Sequence, residues 1–259
     1  MMTGTALAQA LEQIGAPIAG GTGFQPASSP TAVQAQGLDH MILIIITGIT
    51  LFVTALLLFV MFRFSAKRNP VPAKFSHNTP LEIAWTLIPI VILVFIGSFS
   101  LPALFFQEEI PPADVTVKVT GNQWYWSYDY PDAGVAFDSV LLEKNELEAN
   151  GYKQSDYLLA ADNAMVIPVG KTIVVQLTGA DVIHAWAVPA FAVMHSAVPG
   201  RLGQLWFRAD KEGVFFGQCT ALCGSNHAYM PIVVKVVSEE AYDAWLTAAK
   251  DGNFKLALN

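Results

Sequence analysis

Gly217–Pro231 reads GQCTALCGSNHAYMP, and the reading of this stretch decides the class of the domain around it. Val214–Gln218 on one side and Pro231–Val237 on the other are rich in Val, Ile and Phe, as strands are. A loop held by two rigid elements therefore carries Cys219, Cys223, His227 and Met230. Thiolate, imidazole and thioether together form the ligand set that soft copper prefers. One more imidazole is needed, and His184 in the apolar run ADVIHAWAVP is the candidate, following a strand. A single blue-copper centre uses one cysteine. Two thiolates four residues apart can instead bridge one pair of copper ions, leaving one histidine and one weaker ligand for each metal. The alternatives are a Cys219–Cys223 disulfide, a zinc site and a structural role for His184. Met230 argues against zinc, because thioether is not a zinc ligand.

Further strands are expected at Val115–Thr120, Thr172–Thr178 and Gln204–Arg208, with turns between them. Short strands at this spacing imply a β-sandwich or small barrel. Leu141–Tyr157 is polar and charged and reads as an inserted loop with a helical turn; Glu239–Lys250 has helical composition. Glu108–Asp114, EEIPPAD, is a linker.

Before the linker the pattern changes to long apolar runs. Met41–Arg63 is uncharged up to its last residue, and Ile83–Phe106 is uncharged throughout. Each is long enough to cross a bilayer as a helix. Pro89 and Pro102 interrupt the second, which membrane helices tolerate. A chain of 259 residues is too small to enclose two such helices in a soluble core. Phe64–Pro80 between them holds Lys67, Arg68 and Lys74, while the first forty residues hold no Lys or Arg. The loop is therefore expected in the cytoplasm and both termini outside. Gly20–Ala35 reads as an extended arm, and Thr5–Ala10 as the tail of a leader or the product of a misplaced start. The expected division is an arm over 1–39, a transmembrane hairpin over 40–107 and a β-domain over 108–259.

The whole chain agrees with this division. It is 14% charged, where soluble domains hold about a quarter. Its net charge of -7 argues against nucleic acid and suits a basic partner. Both cysteines lie in one motif, so no disulfide framework is expected.

The GGTGFQP arm, the two spans, GNQWYWSYDYP, DVIHAW, AVPGRL and the cysteine loop together resemble the subunit II family of haem–copper cytochrome c oxidases, in its alphaproteobacterial style. The resemblance covers nearly the whole chain. It implies a cupredoxin-like Greek-key barrel with a dinuclear copper-A centre, held by His184, Cys219, Cys223, His227, Met230 and the backbone carbonyl of Ala221. It implies electrons from cytochrome c entering at Trp124 and leaving for haem a of subunit I. That subunit also holds the haem a3–copper-B site where oxygen becomes water and protons are pumped. Subunit III is a further expected partner, and the bacterial inner membrane, with a periplasmic copper domain, the expected location. Asp129, Asp162 and Asp181 resemble acidic docking positions; from the residues alone each is a solvated carboxylate. Glu82 matches the entrance of a proton channel, or is an interfacial charge at a helix start. In the aromatic motif, strand alternation places one set of side chains in the core, Trp126 among them, with Trp124 exposed at an interface.

The chain departs from the family at two acidic positions. Ala221 stands where a glutamate is usual between the cysteines, and Ser196 where an aspartate is usual. Magnesium prefers charged oxygen ligands, so the site expected at the subunit I boundary is weak, altered or absent. His195 also departs, with no reason visible in the sequence. Of the competing readings, a quinol oxidase subunit would lack the copper ligands, and a soluble copper-A reductase would lack the hairpin and Glu82. A copper chaperone would hold exchangeable metal.

Overall fold

Strand-forming and helix-forming sequence separate cleanly along the chain. The computed structural model describes residues 11–256; the leader-like Thr5–Ala10 lies outside them. The described residues up to Val33 together with those from Gln107 onward form one compact unit, and Gln34–Phe106 forms another.

The second unit is built from helices α1, Pro30–Arg63, and α2, Thr79–Glu108. Their most apolar windows have mean hydropathies of 2.8 and 2.4 with no residue buried. Side chains apolar on every side need lipid or protein around them. Each helix is longer than its expected span, because each is capped upstream of the apolar run. Ser29 Oγ accepts from Ala32 N at 3.0 Å, and Pro30 takes the first helical position, where its missing N–H costs nothing. The arm expected over Gly20–Ala35 thus ends at Ser29. At α2, Asn78 Oδ1 accepts from Leu81 N while Glu82 Oε1 accepts from Asn78 N at 3.0 Å, a reciprocal cap.

The first unit stacks two sheets. The strands are β1 Gln13–Gly15, β2 Val115–Asn122, β3 Tyr125–Tyr130, β4 Val135–Ser139, β5 Met165–Pro168 and β6 Thr172–Gly179. After these come β7 His184–Val188, β8 Val193–Ala197, β9 Gly203–Arg208, β10 Gly213–Cys219 and β11 Pro231–Val237. One sheet runs β4-β3-β2-β6-β9; the other runs β5-β11-β10-β7-β8, with β1 parallel to β10 at Val214 and Phe215. The core between them includes Val117, Trp126 and Ile173 from one sheet and Trp186, Phe215 and Val234 from the other. Alternation in β3 buries Trp126, Tyr128 and Tyr130, as expected from its sequence. The Tyr130 hydroxyl donates to Val166 O and accepts from Val166 N, joining the two sheets. Burial raises the pKa of that hydroxyl well above the ordinary tyrosine value.

Three further features complete this unit, among them the expected inserted loop and the expected C-terminal helix. The segment expected as an inserted loop holds two short 3-10 turns, Glu148–Asn150 and Gln154–Asp156. It packs Leu142, Leu147 and Tyr152 against Val214, Phe216 and Val233, so the outer face of the second sheet is also covered. The residues before α1 and its first turn are tied to the segment between β7 and β8: Ser28 N donates to Ala190 O, and the Ser29 and Thr31 hydroxyls donate to Phe191 O at 2.7 and 2.8 Å. Helix α3, Glu239–Lys250, starts at Ser238, whose hydroxyl accepts from Ala241 N, and inserts Trp245 beside Tyr130 and Phe137.

Candidate metal centre

Strand β10 ends at Cys219 and β11 begins at Pro231, directly after Met230. These antiparallel neighbours, in register from Gly213↔Val236 to Gln218↔Pro231, hold both ends of the cysteine loop. Strand β7 brings His184 in beside them, pairing Trp186 with Cys219. His184 follows β6 and is the first residue of β7.

The side chains converge. Cys219 Sγ and Cys223 Sγ are 3.8 Å apart, beyond bonding distance, so both are free thiols in this structure. His184 Nδ1 lies 4.0 Å from Cys219 Sγ, and His227 Nδ1 3.4 Å from Cys223 Sγ. Met230 Sδ is 3.5 Å from Cys223 Sγ, and Ala221 O 3.3 Å from Cys219 Sγ. Among the described residues, His184, Cys219 and Cys223 bring their donor atoms within 4.8 Å of one another. His184 and both cysteines are buried, whereas His227 is half-buried at the surface end of the group. Burial and the neighbouring Cys219 push the Cys223 thiol up to about 12. A bound cation reverses that preference and holds the thiolate. Two soft sulfur atoms facing two imidazoles, a thioether and a carbonyl fit copper.

Asp181 fixes the orientation of His184. Its Oδ1 meets His184 Nε2 at 2.9 Å and accepts from Val182 N at 2.6 Å, while Oδ2 accepts from Gln123 N at 2.8 Å. With Nε2 donating to the carboxylate, Nδ1 keeps its lone pair toward the thiols. Partial burial alone would raise the Asp181 pKa, but the hydrogen bonds from His184, Val182 and Gln123 hold it below the usual value. The sequence reading placed Asp181 among docking acids and missed this contact. Asp162 also works internally, accepting from Val140 N and Asn163 N. Asp129 is half-buried on β3, opposite Lys118.

The aromatic motif grips the cysteine loop. Trp124, expected to be exposed, is half-buried: its Nε1 donates to Cys223 O at 3.2 Å. Gln123 Nε2 donates to the same carbonyl at 2.9 Å, and Trp126 Nε1 to Met230 O at 3.2 Å. Two glycines permit the fit. A Cβ on Gly121 would lie 2.8 Å from the His184 ring, and one on Gly224, at φ +124°, 2.9 Å from the Trp124 ring. Gln123, Gly121 and Gly224 were missed; Gln123 and Gly121 lie within GNQWYW, where adjacency to Trp124 was the available signal.

The remaining expected positions are on other elements. His195 and Ser196 sit on β8, Ser196 exposed and His195 with Nδ1 2.9 Å from Ser196 O. A Cβ on Gly203 would collide with the His195 ring, so the ring packs against that glycine. Glu82 belongs to the cap of α2.

Comparison with known proteins agrees with this arrangement. The family described as cytochrome c oxidase subunit II, periplasmic domain, matches residues 115–237, and its transmembrane domain matches residues 17–103. Cytochrome c oxidase subunit 2 of Cereibacter sphaeroides is 61% identical over 96% of this chain and 87% of that protein. A probable cytochrome c oxidase subunit 2 of Rickettsia bellii is 47% identical over 92% of the chain and 89% of that protein. The crystal structure of the periplasmic domain of subunit II of cytochrome oxidase from Bradyrhizobium japonicum is similar at a TM-score of 0.51 and 50% identity. It covers 56% of this chain and 99% of that one. The two membrane-length helices and the cupredoxin-like domain of this chain coincide with the two matched family regions, and the chain belongs to the cytochrome c oxidase subunit II family, the second subunit of a respiratory oxidoreductase.

Proposed function

We propose that the globular domain holds two copper ions, receives electrons from cytochrome c beside Trp124, and delivers them to haem a of subunit I. The observation that carries this reading is the pair of free thiols 3.8 Å apart, with one imidazole Nδ1 near each. His184, Cys219, Cys223, His227, Met230 and the Ala221 carbonyl are the ligands in this reading. Copper held by these residues would supply one-electron transfer, and the two cysteines would keep a pair of metal ions close enough to share the electron with little rearrangement. The protein's own contribution is rigidity: two strand ends, the Asp181 carboxylate and the three bonds from Gln123, Trp124 and Trp126 fix the donors in advance. Trp124 gives the path, because its indole is partly exposed on one side and bonded to a ligand residue on the other.

Asp129 and Asp162 serve as docking acids for a basic cytochrome c in this reading, and Asp181 adds docking to its hold on His184. The basic loop Phe64–Pro80 puts both termini and the copper domain on the periplasmic side of the bacterial inner membrane. Glu82 marks the entrance of a proton channel into subunit I in addition to capping α2. Subunit III completes the partners. Magnesium is not held in stoichiometric amount, since Ala221 and Ser196 supply no carboxylate.

The test uses the assembled oxidase mixed rapidly with reduced cytochrome c. Trp124→Phe keeps an aromatic ring but removes the Nε1–H bond to Cys223 O and the second ring of the indole. Electron uptake should slow at least tenfold while copper content stays constant. Uptake at the unaltered rate contradicts the assigned path.

A further inference from the structure

Asp181 joins the outer surface of the domain to a metal-ligand residue through a single bond. Its side chain is 34% exposed, whereas the His184 side chain that it holds is fully buried. A carboxylate offers about four lone-pair positions on its two oxygens. Oδ1 meets His184 Nε2 at 2.9 Å and accepts from Val182 N at 2.6 Å, and Oδ2 accepts from Gln123 N at 2.8 Å. A further position on Oδ2 is left for a donor from outside. The same bonds keep the carboxylate in place, because Gln123 is itself tied through Nε2 to Cys223 O at 2.9 Å. An outside cation can therefore polarise Asp181 without pulling it off His184.

The residues beside Asp181 are those assigned above to electron entry. Gln123 is exposed and Trp124 is half-buried next to it, and both donate to Cys223 O. A basic protein seated over Trp124 brings its ammonium groups within reach of the free position on Asp181. The sign of the effect follows from electrostatics. With Nε2–H given to the carboxylate, His184 Nδ1 is a stronger donor toward a metal. An ammonium on Oδ2 draws negative charge away from that bond and adds positive charge near the site. Both changes disfavour the more positive, oxidised state of the metal centre.

Resting on the reading that cytochrome c docks beside Trp124, we propose that docking itself raises the reduction potential of the copper site, with Asp181 passing the charge of the donor to His184. The domain then accepts an electron most readily while its donor is in place. By linkage, the donor binds the reduced domain more tightly than the oxidised one by the same factor. Onward passage of the electron weakens that hold, so release of the donor follows transfer.

The test uses the full-length, copper-loaded chain in detergent at low ionic strength. The probe is cytochrome c with zinc in place of the haem iron, a basic protein that exchanges no electron in the dark. Heat of binding gives its affinity for the oxidised and the reduced chain, and optical titration of the copper spectrum gives the potential with and without it. The wild type should bind the probe at least threefold more tightly when reduced, a rise of about 28 mV at about 59 mV per tenfold for a one-electron couple. Asp181→Asn should lose at least two thirds of that rise at saturating probe. Asp129→Asn removes a docking acid opposite Lys118 on the neighbouring strand. It should weaken binding to both states alike and keep the full rise at saturation, which separates passage of charge through Asp181 from docking alone. No saturable binding of the probe to the wild type overturns the docking reading and this inference together. Saturable binding with affinities within about 1.5-fold in the two states leaves docking standing and overturns the inference. So does a rise that survives intact in Asp181→Asn.

Discussion

Replacing Asp181 by Asn leaves the volume of the side chain unchanged and alters only what its two terminal atoms can accept. In the native protein Oδ1 serves His184 Nε2 and Val182 N, and Oδ2 serves Gln123 N. An amide has one oxygen, so its NH2 group must face either Gln123 N–H or the pair of donors at His184 and Val182. Hydrogen bonds to a charged group contribute about 1.5–3 kcal/mol each when buried. The Asp181 side chain is 34% exposed, so water compensates part of the loss, and about 1–3 kcal/mol in total is the reasonable scale. The effect on metal is more specific. A histidine freed from its carboxylate partner can place its proton on Nδ1, the nitrogen facing the thiols. Loss of such a partner costs about 10–100-fold in metal affinity. The assay is the rate of copper loss to a chelator from the full chain, together with the cytochrome c concentration dependence of electron uptake by the assembled oxidase. The prediction is faster copper loss by at least tenfold. Copper retention within twofold of the native protein, with only a weakened dependence on cytochrome c, would refute the positioning role and return Asp181 to a docking acid.

Other outcomes follow from neighbouring contacts. Gly121→Ala should displace the His184 ring, because the added Cβ would lie at 2.8 Å; a changed copper spectrum and a stability loss of about 1–3 kcal/mol are expected in spectroscopy and thermal melts. Lys235 gives a pH dependence. Its folded pKa of about 8 lies below the ordinary 10.5, so between these values the unfolded chain holds more protons and stability rises with pH. Below about pH 8 the full penalty of burial, roughly 3 kcal/mol, is present, and Lys235→Met should melt higher than wild type at pH 7, with the gap closing toward pH 10.5. Elemental analysis of the assembled oxidase should find magnesium and manganese well below one per complex; a tightly held equivalent contradicts the consequence drawn from Ala221 and Ser196.

The parts of this fold with a strong period were legible in the sequence. Val115–Thr120, Thr172–Thr178 and Pro231–Val237 lie within or coincide with observed strands, and Glu239–Lys250 coincides with α3. Strand β7 was not separable from a general apolar run, because every residue of HAWAV is buried and the alternation disappears. The segment around Leu147 and Tyr152 looked like a loop, since a few apolar anchors among charged residues leave no period to read. At the metal loop, residue types were enough to bring five side chains to one place, because copper chemistry restricts its donors. The supporting contacts were not legible. Asp181 and Gln123 act through single hydrogen bonds set by tertiary approach, and a lone Asp or Gln in sequence gives no sign of that. Trp124 was expected at the surface and instead bridges surface and loop, because its ring packs over Gly224.

The central claim is that this chain holds a pair of copper ions between Cys219 and Cys223. The most direct measurement is copper content together with electron paramagnetic resonance of the full-length chain, purified in detergent and loaded with copper. The account predicts two copper ions per chain with one unpaired electron spread equally over both. One copper per chain, with the electron confined to a single nucleus, would contradict it.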